Sequence, residues 1–130
     1  MLASLFGFLR PTPKETPLSV KNLVESAVNE NRVVIFSKSY CPYCRRTKAL
    51  FEKEFPEETP VVFELNERED GDDIQNYLRK KTKQGTVPNI FVNQNHVGGN
   101  DDAQAKFRSG ELKALVLGGP GATPPSASSC

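Results

Sequence analysis

Cysteine is scarce in this chain, with three in 130 residues, and histidine scarcer, with one. A disulfide scaffold wants a larger and even set, so disulfides do not hold this fold together. A closed zinc site wants four ligands, usually two CxxC pairs or one CxxC with two histidines. Here there is one CxxC (Cys41 and Cys44), His96 and a final Cys130; no metal is expected. Excess charge is missing too. Seventeen Lys and Arg face sixteen Asp and Glu, for a formal net charge of +1. The protein has no global attraction to nucleic acid or to an anionic membrane. No apolar run approaches the ~20 residues of a membrane span. A reducing compartment is the default for such a chain, and there a CxxC reads as redox or metal chemistry.

What is present suffices for one domain with a real core: 37% hydrophobic and 25% charged residues. Residues 1–16 hold the apolar "MLASLFGFL" and then "RPTPKET". They read as a flexible arm or a targeting segment, with one arginine placed after the apolar run. Residues 17–117 form the domain. Residues 118–130, rich in Gly, Pro and Ser, form a flexible tail ending in Cys130.

Within the domain, residues 17–31 predict a helix with Thr16 as N-cap and Pro17 in its first turn. Val20, Leu23, Val24, Ala27 and Val28 mark its apolar face. "RVVIFSK" and "TPVVFEL" predict strands. Between them a helix runs from about Cys44 to Glu54, with Leu50 and Phe51 inward and Pro56 as a stop. "DGDDIQNYLRKKT" predicts a helix with acids first and bases last. Ile74, Tyr77, Leu78 and the stem of Lys81 share its face. "VPNIFVN" and "NHVGG" predict a hairpin turning around Gln94 and Asn95. A final helix follows, interrupted near Gly110. The order is α-β-α-β-α-β-β-α. It implies a mixed sheet with a right-handed parallel βαβ unit, an antiparallel hairpin and helices on both faces.

The chemistry concentrates in "SYCPYCRRTK". Cys41 falls where a strand gives way to a helix, beside unpaired N–H groups that stabilise a thiolate. Lys38, Arg45 and Arg46 add positive charge. Pro42 suits the first helical turn, where its missing N–H costs nothing. Cys41 is therefore the acidic, exposed thiol and Cys44 its less exposed partner. A disulfide closing so short a loop contributes little stability. A bond of so little structural use is one that opens and closes.

"SYCPYCRRTK", "QGTVPNIFVN" and "HVGGNDD", in that order and spacing, resemble the dithiol glutaredoxins of eukaryotic type. The resemblance spans about residues 18–116. It implies the thioredoxin fold, with four strands and an extra N-terminal helix. It also implies glutathione as co-substrate and thiol–disulfide exchange as the reaction, with Cys41 as nucleophile and Cys44 as resolving thiol. Protein–glutathione mixed disulfides would be reduced by Cys41 alone, and protein disulfides by both cysteines.

The same resemblance implies a cis bond before Pro88, facing the CxxC. Val87 would then offer its backbone N–H and C=O to an extended peptide such as glutathione. Thr86 belongs to that motif. Gly98 and Gly99 allow close backbone approach. By resemblance the Asn100–Asp101 backbone takes the α-carboxylate of the γ-glutamyl end, and Asp102 takes its amine. Lys38 and Gln84 fit the glycyl carboxylate. Tyr43 presents a ring beside the thiol. His96 is assigned no role.

Glutathionylated or disulfide-bearing proteins are the implied partners, with glutathione reductase acting indirectly. A monomer in the cytoplasm is expected, or in mitochondria if the first segment is a presequence. Two alternatives stand beside this reading. One is a thioredoxin-like reductase fed by a flavoenzyme. The other is a module in which two chains and two glutathiones hold an iron–sulfur cluster, although Pro42 and Tyr43 crowd such a site.

Overall fold

The computed structural model describes residues 16–118. The expectations for a flexible or targeting arm over 1–15, and for a flexible tail over 119–130 with Cys130, lie outside the described residues. The elements are α1 (Leu18–Glu30), β1 (Val33–Ser37), α2 (Pro42–Glu54), β2 (Val61–Glu64), a 3₁₀ turn (Leu65–Glu67), α3 (Gly71–Thr82), β3 (Asn89–Val92), β4 (Asn95–Gly98), α4 (Asn100–Ser109) and α5 (Glu111–Leu117).

The four strands make one sheet in the order β2-β1-β3-β4. β1 pairs parallel with β2 and antiparallel with β3, which pairs antiparallel with β4. This is the mixed sheet, with an N-terminal helix, that the sequence implied.

β1 is buried on both faces, which explains its unbroken apolar run. Val33 and Ile35 point to one side, where they pack with Leu50, Phe51 and Phe55 of the α2 region and with Leu112, Leu115 and Val116 of α5. Val34 and Phe36 point to the other, onto Val20, Val24 and Val28 of α1 and Ile74 and Leu78 of α3. The period-2 alternation of a strand thus divides the core into two layers.

Four boundaries differ from the expectations. Pro17 is the N-cap residue of α1, so Thr16 does not cap it and Pro17 lies before the first turn. α2 begins at Pro42 and not near Cys44, because Cys41 itself caps it. The hairpin turns at Asn93 and Gln94, both at positive φ (47° and 71°), and Asn95 already belongs to β4. Such a two-residue turn matches the strand twist. The interruption expected near Gly110 is present, but it makes two helices. Gly110 sits at φ 89°, where a residue without Cβ can end α4 and start α5.

Candidate active site

Cys41 stands at the carboxyl end of β1 as the N-cap of α2. Its Sγ accepts a hydrogen bond from the Cys44 N–H at 3.3 Å. A sulfur has taken the place usually held by a Ser or Asp oxygen. Both thiols are free. Burial alone would push the Cys41 thiol up. The Cys44 side chain, the N–H groups of Cys44 and Tyr43, and the charge of Arg45 outweigh it, and the thiol lies below the usual cysteine range. Cys41 is only 9% exposed, so the expectation of an exposed thiol needs correcting. The charged sulfur is favoured by the Cys44 side chain, then by directed N–H groups and Arg45, and not by open water.

Cys44, one turn on, has no solvent contact. Its burial pushes the thiol above the usual range, against the Lys38 N–H and the Ser37 hydroxyl, which favour ionisation. The two sulfurs are therefore driven in opposite directions by their places on one helix turn. Tyr43 lies on the exposed side, with the Arg46 guanidinium 5.2 Å from its ring centroid. Lys38 is half-buried in the turn before Cys41, and its carbonyl accepts from the Cys41 N–H at 3.0 Å. Its ammonium makes no ion pair among the described residues.

The Val87–Pro88 peptide bond is cis, and the Val87 carbonyl lies 4.0 Å from Cys41 Sγ. Gln84 holds this loop. Its Nε2 donates to the carbonyl oxygens of Thr86 at 3.1 Å and Pro88 at 2.9 Å. The side-chain amide expected to face a ligand is spent on the chain's own backbone. Thr82 Oγ1 and the Gln84 N–H add a bond at 3.1 Å behind it.

The segment from Gly98 forms the opposite wall. Gly98 has φ 116°, and a Cβ there would fall 2.2 Å from Asp102 Oδ2. That carboxylate oxygen accepts from the Gly99 N–H at 3.0 Å, so Asp102 caps its own helix as the third residue of α4. Asn100 is buried, and its Oδ1 accepts from Thr47 Oγ1 at 3.0 Å and Gln104 Nε2 at 3.2 Å. Asp101 is exposed.

Tyr43, Gln84, Thr86, Val87, Pro88, Gly99, Asn100, Asp101 and Asp102 together line one groove of about 440 Å³. Lys38 is outside its walls. Sequence reasoning missed Thr47, which fixes Asn100, and the Ser37–Glu64 hydrogen bond between β1 and β2. His96 is tied to Asn89 Oδ1 at 2.8 Å, and its ring lies near Phe91. Burial lowers its pKa, so it is neutral near pH 7. Among the described residues no group of three or more His, Cys, Asp or Glu could hold a metal ion. Among them, too, no helix is long and apolar enough to cross a membrane.

Comparison with known proteins matches residues 33–97 to the glutaredoxin family model. The chain is 47% identical over 98 residues to Glutaredoxin-C8 of Oryza sativa subsp. japonica, covering 75% of this chain and 72% of that one. It is 43% identical over 105 residues to Glutaredoxin-1 of Saccharomyces cerevisiae, covering 79% and 92%. Among solved structures, the buckwheat glutaredoxin–glutathione complex superposes with a TM-score of 0.73 at 38% identity, over 82% of this chain and 94% of that one.

Proposed function

Because the chain belongs to the glutaredoxin family, we propose that its glutathione-dependent thiol chemistry runs from one nucleophile, Cys41, by two routes. In the first, the Cys41 thiolate attacks the glutathione sulfur of a protein–glutathione mixed disulfide. The S–S bond breaks, the protein thiol leaves, and Cys41 carries glutathione. A second glutathione attacks that bond, releasing oxidised glutathione and restoring Cys41. In the second, Cys41 attacks a protein disulfide and Cys44 resolves the resulting mixed disulfide. The Cys41–Cys44 bond is then reduced by two glutathiones. Glutathione reductase closes the cycle indirectly.

Glutathione lies in the groove across from Cys41 in this reading. Its cysteinyl backbone pairs with Val87 beside Thr86 and Pro88. The γ-glutamyl carboxylate meets the N–H groups of Asn100 and Asp101 after Gly99, where helix partial charge is positive. Its ammonium meets Asp102, and Tyr43 covers the thiol. Lys38 supplies charge for the glycyl carboxylate, while Gln84 supports that end by holding the Thr86–Pro88 carbonyls.

The observation that carries this reading is the Cys41 sulfur sitting as an N-cap that accepts the Cys44 N–H. A thiolate is the better acceptor there, and the thiolate is the attacking species. The test is glutathione-coupled turnover of a glutathionylated peptide by wild type, Cys41→Ser and Cys44→Ser. Cys44→Ser is expected to retain turnover and Cys41→Ser to lose it. Turnover surviving in Cys41→Ser would overturn the assignment.

A further inference from the structure

Gln75 and Arg79 stand four residues apart on α3 and share one face. That face meets the loop before the cis peptide bond. Gln75 Nε2 donates to the Gly85 carbonyl at 2.7 Å. Arg79 lies against the same residue: a Cβ at Gly85 would fall 2.5 Å from Arg79 Nε, 3.0 Å from Nη2 and 3.1 Å from Cζ. Gly98 and Gly110 have positive φ, but Gly85 does not. Its backbone therefore makes no demand for glycine. What glycine gives here is room, and a guanidinium fills it.

Gly85 sits between Gln84 and Thr86, and both of these line the groove. The guanidinium thus stands beside the rim that they form. Arg79 is exposed, and among the described residues it makes no ion pair. Its hydrogen bond among them runs from Nη1 to Asn76 Oδ1 at 2.9 Å. A guanidinium has five donors, so Nε and Nη2, the atoms nearest the loop, remain for a ligand. Bases in the last turn of α3 complement the helix dipole, and that accounts for Lys80 and Lys81. Lys81 is also paired with Glu25. Arg79 is the one set against a glycine.

The inference rests on the glutathione groove proposed above. Glutathione carries two carboxylates, and the γ-glutamyl one meets the N–H groups of Asn100 and Asp101. The Gln84 amide is committed to the Thr86 and Pro88 carbonyls, so it offers the glycyl carboxylate no charge. Lys38 alone is left for it, from outside the groove's walls. With one end of the peptide at Asn100 and its sulfur at Cys41, the glycyl end runs out on the Thr86 side of Val87. We propose that Arg79 determines specificity for that glycyl carboxylate, reaching it through the space left by Gly85. A planar guanidinium can meet both oxygens of a carboxylate, which an ammonium cannot. Glutathione with a neutral glycyl end loses this contact. A Cβ at position 85 removes it from the other side, by pushing the guanidinium away.

The experiment compares two mixed disulfides of one peptide. The first carries glutathione, and the second carries glutathione amide, whose glycyl end is an uncharged carboxamide. The full chain is used as wild type, Arg79→Gln, Gly85→Ala and the double variant. Cys41 captures the glutathionyl group before the reducing glutathione enters, so kcat/KM for the disulfide reads capture alone. The readout is the ratio of kcat/KM for the acid to that for the amide. It is expected to be about ten-fold in wild type and to fall several-fold in Arg79→Gln. Gly85→Ala should lower it by a similar factor with Arg79 still present, and the double variant should lower it no further. A wild-type ratio near unity overturns the carboxylate end of the groove itself. A high wild-type ratio that Arg79→Gln leaves unchanged overturns Arg79 and leaves the charge to Lys38. So does an equal loss on both substrates, which marks a structural defect. A ratio unchanged in Gly85→Ala, or losses that add in the double variant, overturn the role of the space at Gly85. If Gly85→Ala melts early by circular dichroism, Arg79→Gln decides, since Arg79 is exposed.

Discussion

Thr47 Oγ1 donates to Asn100 Oδ1 across 3.0 Å, with both side chains buried. The helix begun at Cys41 is thereby fastened to the helix whose start forms the facing wall of the groove. Thr47→Val keeps the shape and deletes the donor. A stability loss of about 1–2 kcal/mol is expected from urea unfolding. The KM for a glutathionylated substrate should rise, because the wall is no longer held in register with the thiol. A variant as stable as wild type would show that Gln104 alone satisfies Asn100.

Asp102 has two separable tasks, and a conservative change divides them. Asp102→Asn keeps an oxygen for the Gly99 N–H but removes the charge proposed to meet an ammonium. Its melting temperature should stay close to that of wild type while its KM rises several-fold. Asp102→Ala removes the cap as well and should cost about 1 kcal/mol of stability. Equal KM in wild type and Asp102→Asn would remove Asp102 from the groove's chemistry.

Gly98→Ala tests the backbone itself. At φ 116° a side chain is strained, and its Cβ would meet Asp102 Oδ2 at 2.2 Å. About 2 kcal/mol or more is expected from the strain and the displaced cap together. Thermal unfolding would read it, and a loss below about 0.5 kcal/mol would mean that the turn relaxes freely.

Glu25 joins α1 to α3 through the Tyr77 hydroxyl and the Lys81 ammonium, the latter at 3.0 Å. Burial works against its charge, but Tyr77 and Lys81 outweigh it and hold Glu25 below the usual range. Burial, then the bond to Glu25, pushes Tyr77 up to about 12. A depressed carboxylate stabilises the fold above the ordinary glutamate pKa, near pH ~4. That contribution is lost as pH falls through the folded value. The melting-temperature gap between wild type and Glu25→Gln should therefore be full at pH 7 and close as the solution is acidified. A gap independent of pH would contradict the pairing.

Alkylation against pH examines the nucleophile directly. Cys41 should titrate below an unstructured cysteine, and Arg45→Gln should move its inflection upward by a small step. An inflection at the ordinary position would leave the N–H groups around Cys41 without effect.

Much of this site was legible because its parts are local. A strand, a cysteine, a proline and a basic helix place a sulfur at a helix N-terminus with no tertiary information. The two-layer core follows equally from alternation in "VVIF" and from the 3.6-residue spacing in α1. What stayed hidden were side-chain choices made across the fold. Gln84 has nothing in its neighbourhood to say that its amide turns back onto Thr86 and Pro88. Asp102 reads from the sequence alone as a helix-start cap, and the bond from the Gly99 N–H bears that out, but its geometry depends on Gly98 at positive φ. Thr47 and Asn100 are 53 residues apart and meet only when α2 packs on α4. Cys41 reads as exposed because its helix end does, yet it is buried, with the Val87 carbonyl 4.0 Å from its sulfur.

The far end of the sheet has its own clasp. Arg32 Nη1 reaches the carbonyls of Val116 at 2.6 Å and Gly118 at 2.8 Å, and buried Asn93 reaches Gly118 O at 2.6 Å. Val33 pairs with Val92 at this end of β1, while Cys41 follows the opposite end. A fluorescent reporter or surface tether grafted immediately after Gly118 would be anchored away from the reactive sulfur. It could track or immobilise the protein while leaving the groove open.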